Sequence, residues 1–436
     1  MYTKLSLRNA KHSAGDYLLY IITLIVLSAL MMFSNLLAVA SNQNGLQASS
    51  IPLLMSVVMV ALLGYINSFM LRHRAKELAT YILLGMKKNK IAAVFFGESF
   101  LLGMAGLVIG MMTGSIFFLP ATSFLRMWFP ISENLLTVYG TAAWDSFWYF
   151  IVIEAVALIG CVRKVRKMQI ISLMSEGRKN QILKSKPHPF LWSAFCMVCM
   201  IADLVFISFI TDENDILMLL GTNTIIFSLV LGIWAFYMAV FHWLVWLRMK
   251  HRSELFQRNR LYLAAQILSK ITSNILLNTV LSVCLLFSVM AFSVGFIMPS
   301  VPSDLFSGEF SMWISFVEIC LCIVFIVIYF SILAVKQIIE AKENRHAFRM
   351  MNYLGKTSRQ HRELIKQEII LKYALPAVMC LLILLFCVWP VNSFLNTFLP
   401  ANNLLLIAVG CFGGCFLIMY TVYTLAAYKL CIRDAI

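Results

Sequence analysis

The sequence predicts an all-α polytopic membrane protein, with about ten transmembrane helices arranged as two parallel four-helix repeats joined by a two-helix connector. Three observations lead there. Of the 436 residues 61% are hydrophobic and 13% charged, against roughly half and a quarter in soluble domains. The apolar residues fall in repeated runs of about 20, the length that crosses the hydrocarbon core. Lys and Arg gather on alternate connections between those runs.

In chain order the runs cover about 17–40, 51–72, 91–118, 144–161, 188–210, 216–247, 272–298, 313–338, 367–393 and 403–428. The first follows Lys4, Arg8 and Lys11, lacks a small-residue cleavage site and reads as a retained span. Segments 1–16, 73–90, 162–187, 248–271, 339–366 and 429–436 hold nearly all the basic residues. The opposite connections have only Arg126, beside Glu133, Asp212, Glu213, Asp215, Asp304 and Glu309. The positive-inside rule therefore places both termini in the cytoplasm. Topology accounts for most of the net charge of +15, and a nucleic-acid partner is not expected. The longest outer connection, 119–143, is followed by Trp144, Trp148 and Tyr149 and reads as an interfacial segment. Residues 299–312 make no more than a linker.

All eleven cysteines, Cys161 to Cys431, lie in or beside apolar runs. "CMVC" (196–199) and "CFGGC" (411–415) have no His or polar partner nearby, so packing cysteines are expected, with no metal.

The strongest internal pattern is a repeat. Residues 71–99, "LRHRAKELATYILLGMKKNKIAAVFFGES", align with residues 341–369, "AKENRHAFRMMNYLGKTSRQHRELIKQEI". Leu84-Gly85 falls on Leu354-Gly355, and thirteen residues after each Gly stands a Glu, Glu98 and Glu368. Charged heads such as Arg74, Lys76, Glu77 and Arg345 with apolar residues between them predict an amphipathic helix before the Leu-Gly. Gly fits a left-handed helix stop, and the Glu suits the start of the next helix. One such stretch alone reads as a solvated loop. Two with common spacing, six spans apart and so on the same face, present paired surfaces to a two-fold partner. Short basic stretches also lead into spans one and seven.

These residues resemble the FtsX-like family of ABC-transporter permeases, whose cytoplasmic coupling segment lies between the second and third helices of each repeat. "VRKVRKMQIISLMSEGRKN" (162–180) is similar to the stretch after the fourth. The ten-span plan is similar to the BceB-like branch associated with bacitracin and lantibiotic resistance, here without that branch's large outer domain. The resemblance implies residues 1–161 and 248–436 as the two repeats and 162–247 as segment and connector. It implies a bacterial cell-membrane permease subunit with a separate ABC ATPase, two copies per chain, and a possible histidine-kinase partner. The chain has no G-x-x-x-x-G-K-[ST] loop, so ATP and Mg belong to that partner; this chain holds no cofactor and is not an enzyme. With no outer domain, a membrane-active peptide or lipid-linked molecule is the expected substrate, met in or near the outer leaflet.

Three acids, Glu154, Asp203 and Glu318, sit inside expected spans, with no basic partner expected along them. They leave open a proton-coupled secondary transporter; a sensor or scaffold signalling to a kinase is a third class. Gly106, Gly110 and Gly114 form a stripe for close helix packing, and Pro376 and Pro390 predict kinks in span nine.

Overall fold

The computed structural model describes residues 14–43, 50–73, 75–128, 135–167, 188–209, 215–250, 260–302, 308–353, 358–396 and 403–435. Every regular element among them is helical. The first five are α1 (Ala14–Gln43), α2 (Ser50–His73), α3 (Ala75–Leu83), α4 (Lys88–Trp128) and α5 (Leu135–Lys167). Then come α6 (Pro189–Phe209), α7 (Asp215–Lys250), α8 (Arg260–Ile297), a 3-10 turn (Met298–Ser300), α9 (Gly308–Tyr353), α10 (Ser358–Leu395) and α11 (Leu404–Ala435). Eight of these helices are long and apolar enough to cross a bilayer, so the chain is a multi-pass membrane protein. They match expected spans one, three, four and six to ten. Helices α2 and α6 occupy the places of the second and fifth, and the apolar stretch of α6 among the described residues is Pro189–Asp203.

Several helices run beyond the ends of the expected spans. Helix α4 continues to Trp128 and α5 starts at Leu135, so the described part of 119–143 is helical. Pro120 forfeits one amide donor, yet the rungs on either side still form. Before span seven the basic stretch from Arg260 is helical and forms the start of α8, which runs unbroken to Ile297.

The chain divides into two units, Met1–Asn180 and Gln181–Ile436. In the first, α1 packs against α2, α4 and α5, most extensively along α4. The glycine stripe makes that contact possible. A Cβ at Gly106 would lie 2.8 Å from Leu24 Cβ, one at Gly110 would overlap the Ser28 hydroxyl, and one at Gly114 would overlap the Ala29 carbonyl. Ser28 Oγ, 2.9 Å from the Gly106 carbonyl oxygen, donates across the interface. Asn35 Nδ2 donates to Ser146 Oγ at 2.8 Å and ties α1 to α5. Phe33, Phe118 and Tyr139 meet edge to face where α1, α4 and α5 converge.

In the second unit α8 is the hub, touching α7, α9, α10 and α11, while α6 packs along α7. Tyr237 and Ser282 share a 2.5 Å hydrogen bond between α7 and α8. Ser288 Oγ donates to the Cys322 carbonyl at 3.3 Å, and Gly295 lets α8 approach Ser315 and Ile319 of α9. Cys196 donates to the Gly232 carbonyl between α6 and α7, at 3.5 Å, the use expected of a packing cysteine. The most extensive pairing in the first unit is α1 with α4, and in the second α6 with α7, followed by α8 with α9.

Gly114→Ala should lower unfolding stability by about 1–3 kcal/mol, because its methyl meets backbone rather than a movable side chain. Gly140→Ala, with open space around it, should cause no loss; thermal unfolding of both variants in detergent checks the pair.

Candidate coupling site

The basic connection after α2 is built by α3, a helix of nine residues with Glu77 in its first turn, where an anion suits the helix dipole. Ala79 is buried while Glu77 and Thr80 face out, so the segment is amphipathic as its sequence predicts. It ends on Gly85, whose φ of +89° is the left-handed conformation that favours glycine. The Gly85 amide donates to Ile82 O and the Met86 amide to Tyr81 O, both at 3.0 Å. This paired pattern is a Schellman stop, satisfying carbonyls that the last turn would otherwise leave bare. Two leucines stand at the tip with little to cover them: Leu83 is 63% exposed and Leu84 81%. Lys87 then accepts from Lys90 and Ile91 as α4 begins. Glu98 lies three turns into α4 and is half-buried.

Arg74, Leu354 and Gly355 lie outside the described residues, as do the side chains of Lys76, Arg345 and Glu368. The backbone nevertheless reports on the second copy. Helix α3 ends at Leu83 and α9 at Tyr353; α4 starts at Lys88 and α10 at Ser358. Both pairs are 270 residues apart, the separation of Gly85 from Gly355. The same register pairs Asn67 with Gln337, both buried, and Phe95 with Ile365, both buried. It also pairs Pro120 with Pro390, each inside its helix. The repeat therefore extends beyond the residues that first revealed it, into the helices on both sides.

The embedded acids lie in different settings. Glu154 on α5 is 1% exposed and neither carboxyl oxygen has a hydrogen-bond partner. Its carboxyl rests on the bare backbone of Gly103 in α4, where an added Cβ would overlap it, and it neighbours Tyr20 of α1. Asp203 on α6 is buried, with Oδ1 unpartnered, and Glu318 on α9 is half-buried. Among the described residues no three His, Cys, Asp or Glu side chains converge on a metal-sized site.

Two residues were not anticipated. Gly103 extends the stripe of Gly106, Gly110 and Gly114 by one step, a spacing visible in the sequence. Lys336 corrects the expectation that the spans hold no basic residue. It lies on α9 inside the Ser311–Ile338 span, is 4% exposed, and donates to Asn278 Oδ1 of α8 at 2.7 Å. A long apolar neighbourhood hides one lysine in any averaged hydropathy, and its ammonium is tolerated because a polar partner faces it. Beside it Gln337 Nε2 donates to the Ala427 carbonyl of α11 at 3.3 Å.

Gly85→Val should cost about 1–2 kcal/mol locally through the left-handed backbone. The expected readout is faster amide hydrogen exchange at Met86, with the thermal unfolding of the spans unchanged. A double-mutant cycle on Gly103→Ala and Glu154→Ala should show coupling of about 0.5–3 kcal/mol in detergent unfolding, because the added methyl collides only when the carboxyl is present.

Comparison with known families places residues 49–170, which span α2 to α5, in a match to the FtsX-like permease C-terminal description. The matched stretch is a little over a quarter of the chain and has α3 and its glycine stop inside it. No curated protein matches the chain.

Proposed function

We propose that the chain is the membrane subunit of an ATP-binding cassette transporter, moved by a separate ATPase dimer. The observation that carries this reading is the FtsX-like match over residues 49–170, with the capped α3 inside it. Permeases of this kind act with ABC ATPases and are themselves non-catalytic. Residues 72–90 and 342–362 serve as two handles, one per ATPase copy, and the common 270-residue register supports their equivalence. Leu83 and Leu84 give the first handle an apolar knob, and an exposed leucine pair rimmed by charge suits a protein socket. Glu98 and Glu368 carry motion from handle to span.

In this reading the chain has ten spans, both termini and both handles lie in the cytoplasm of a bacterial cell, and ATP with Mg is held by the partner. The substrate is a membrane-active peptide or a lipid-linked molecule, consistent with short connections on the opposite face. Antimicrobial-peptide resistance is the physiological role that fits such a substrate, and a histidine kinase is a further partner of the same faces. A second reading, proton-coupled transport, draws on one observation, the buried and unpartnered carboxyl of Glu154.

The intact mass of the complex purified from native membranes in mild detergent tests the first reading. Two phosphate-loop ATPase chains per copy of this chain are expected; a lone chain in several detergents would sink it. Within such a complex, Glu98→Ala with Glu368→Ala should reduce substrate-linked function about tenfold while ATP hydrolysis persists. Transport that survives ATP depletion, follows a proton gradient and disappears in Glu154→Gln would instead establish the second reading.

A further inference from the structure

The second unit contains a cavity of about 530 Å³, within the ~300–1,000 Å³ span of pockets that take organic ligands. Helices α6, α7, α8, α10 and α11 wall it, together with the 3-10 turn after α8. Ile297, Met298 and Val301 close one side, and Leu395 and Leu405 another. The cavity therefore lies toward the α8–α9 and α10–α11 connections, at the end of these helices away from the turn joining α9 to α10.

Of nineteen lining residues all but two are apolar. One exception is Ser293, whose O–H donates within α8 to the Val289 carbonyl at 2.8 Å, which leaves only its oxygen as an acceptor. The other is Asp203, 6% exposed, whose Oδ1 has no hydrogen-bond partner. Met290 and Val294 line the cavity and remain exposed, inside the Ile275–Ser300 span. The cavity thus lies at membrane depth.

The walls select the occupant. An ordered water needs about two to four polar partners, and two polar side chains cannot supply them throughout this space. A peptide segment would bring backbone N–H and C=O groups that these walls cannot satisfy. A hydrocarbon chain has no such groups, is supplied by the bilayer at this depth, and fills the space against Leu, Ile, Val and Met. We propose that this cavity is a binding site for one hydrocarbon chain of a membrane lipid, held by its apolar walls. Binding as such needs no motor. The role in transport rests on the permease reading, under which this is where the lipid part of a substrate is held.

The experiment uses the full chain in nanodiscs of phosphatidylethanolamine and phosphatidylglycerol doped with a phosphatidylglycerol bearing a diazirine on its acyl chain. After illumination, peptides carrying residues 289–297 and 383–395 should be labelled above those with the exposed faces of α4 and α5, such as Ile109 and Val152. Val294→Trp, which adds bulk to the cavity wall, should cut the cavity label about tenfold and leave the α4 and α5 label unchanged. Cavity peptides labelled no more than those faces, or labelled equally in Val294→Trp, would overturn the site. Intact-mass measurement after detergent exchange provides a check on the unsubstituted protein, where one retained lipid per chain is expected and none would count against the proposal. A chain that copurifies with no ATPase yet still shows the label would refute the permease reading alone.

Discussion

Water does not reach the middle of a bilayer, so each backbone N–H and C=O there must be bonded within the chain. Every architectural decision in this protein follows from that constraint. Helices satisfy it segment by segment, and no strand edge is needed anywhere among the described residues. What remains is to hold helices together without a hydrophobic drive, since lipid is as apolar as leucine. The chain does so with small residues that let backbones touch, at Gly106, Gly110, Gly114 and Gly295, and with isolated polar pairs such as Asn35–Ser146, Tyr237–Ser282 and Lys336–Asn278. Each pair sits where an unmatched partner would be costly, so each also fixes the rotation of its helix.

The same constraint explains where freedom is left. At the basic connections backbone groups can be solvated, and a helix may end there if its last carbonyls are capped. Gly85 supplies that cap with two amide bonds closing back on Tyr81 and Ile82. The result is a short capped tip outside the spans, with two exposed leucines at the turn. A surface fixed in this way loses little conformational freedom when something docks on it.

Much of this was legible in the sequence, for reasons that differ by residue. The spans were readable because hydropathy is a local sum, and Gly85 because a left-handed stop after an amphipathic stretch needs glycine. The repeat was readable because Leu-Gly and Glu keep their spacing through 270 residues. Helix α4 running past Pro120 was not, since a proline ends a helix or only indents it according to what surrounds it. Glu154 was recognisable as an embedded acid, but not its seat on Gly103, because the two are brought together by packing of α4 on α5. Lys336 was missed although it stands in plain view, its charge outvoted by an apolar neighbourhood. The cavity beside Asp203 was invisible in principle, because empty space has no residue to announce it.

Pro120 and Pro390 carry a consequence of their own. Each withholds one amide, so the carbonyls of Ile116 and Phe386 lack the rung that α4 and α10 would give them. Each lies 22 residues beyond its glutamate, Glu98 or Glu368, or about 33 Å at a rise of 1.5 Å per residue. That is close to the full thickness of the hydrocarbon core. Each helix then has a softened point the same number of residues beyond its glutamate. A displacement entering either helix at its glutamate would be released as bending where the proline leaves its rung open.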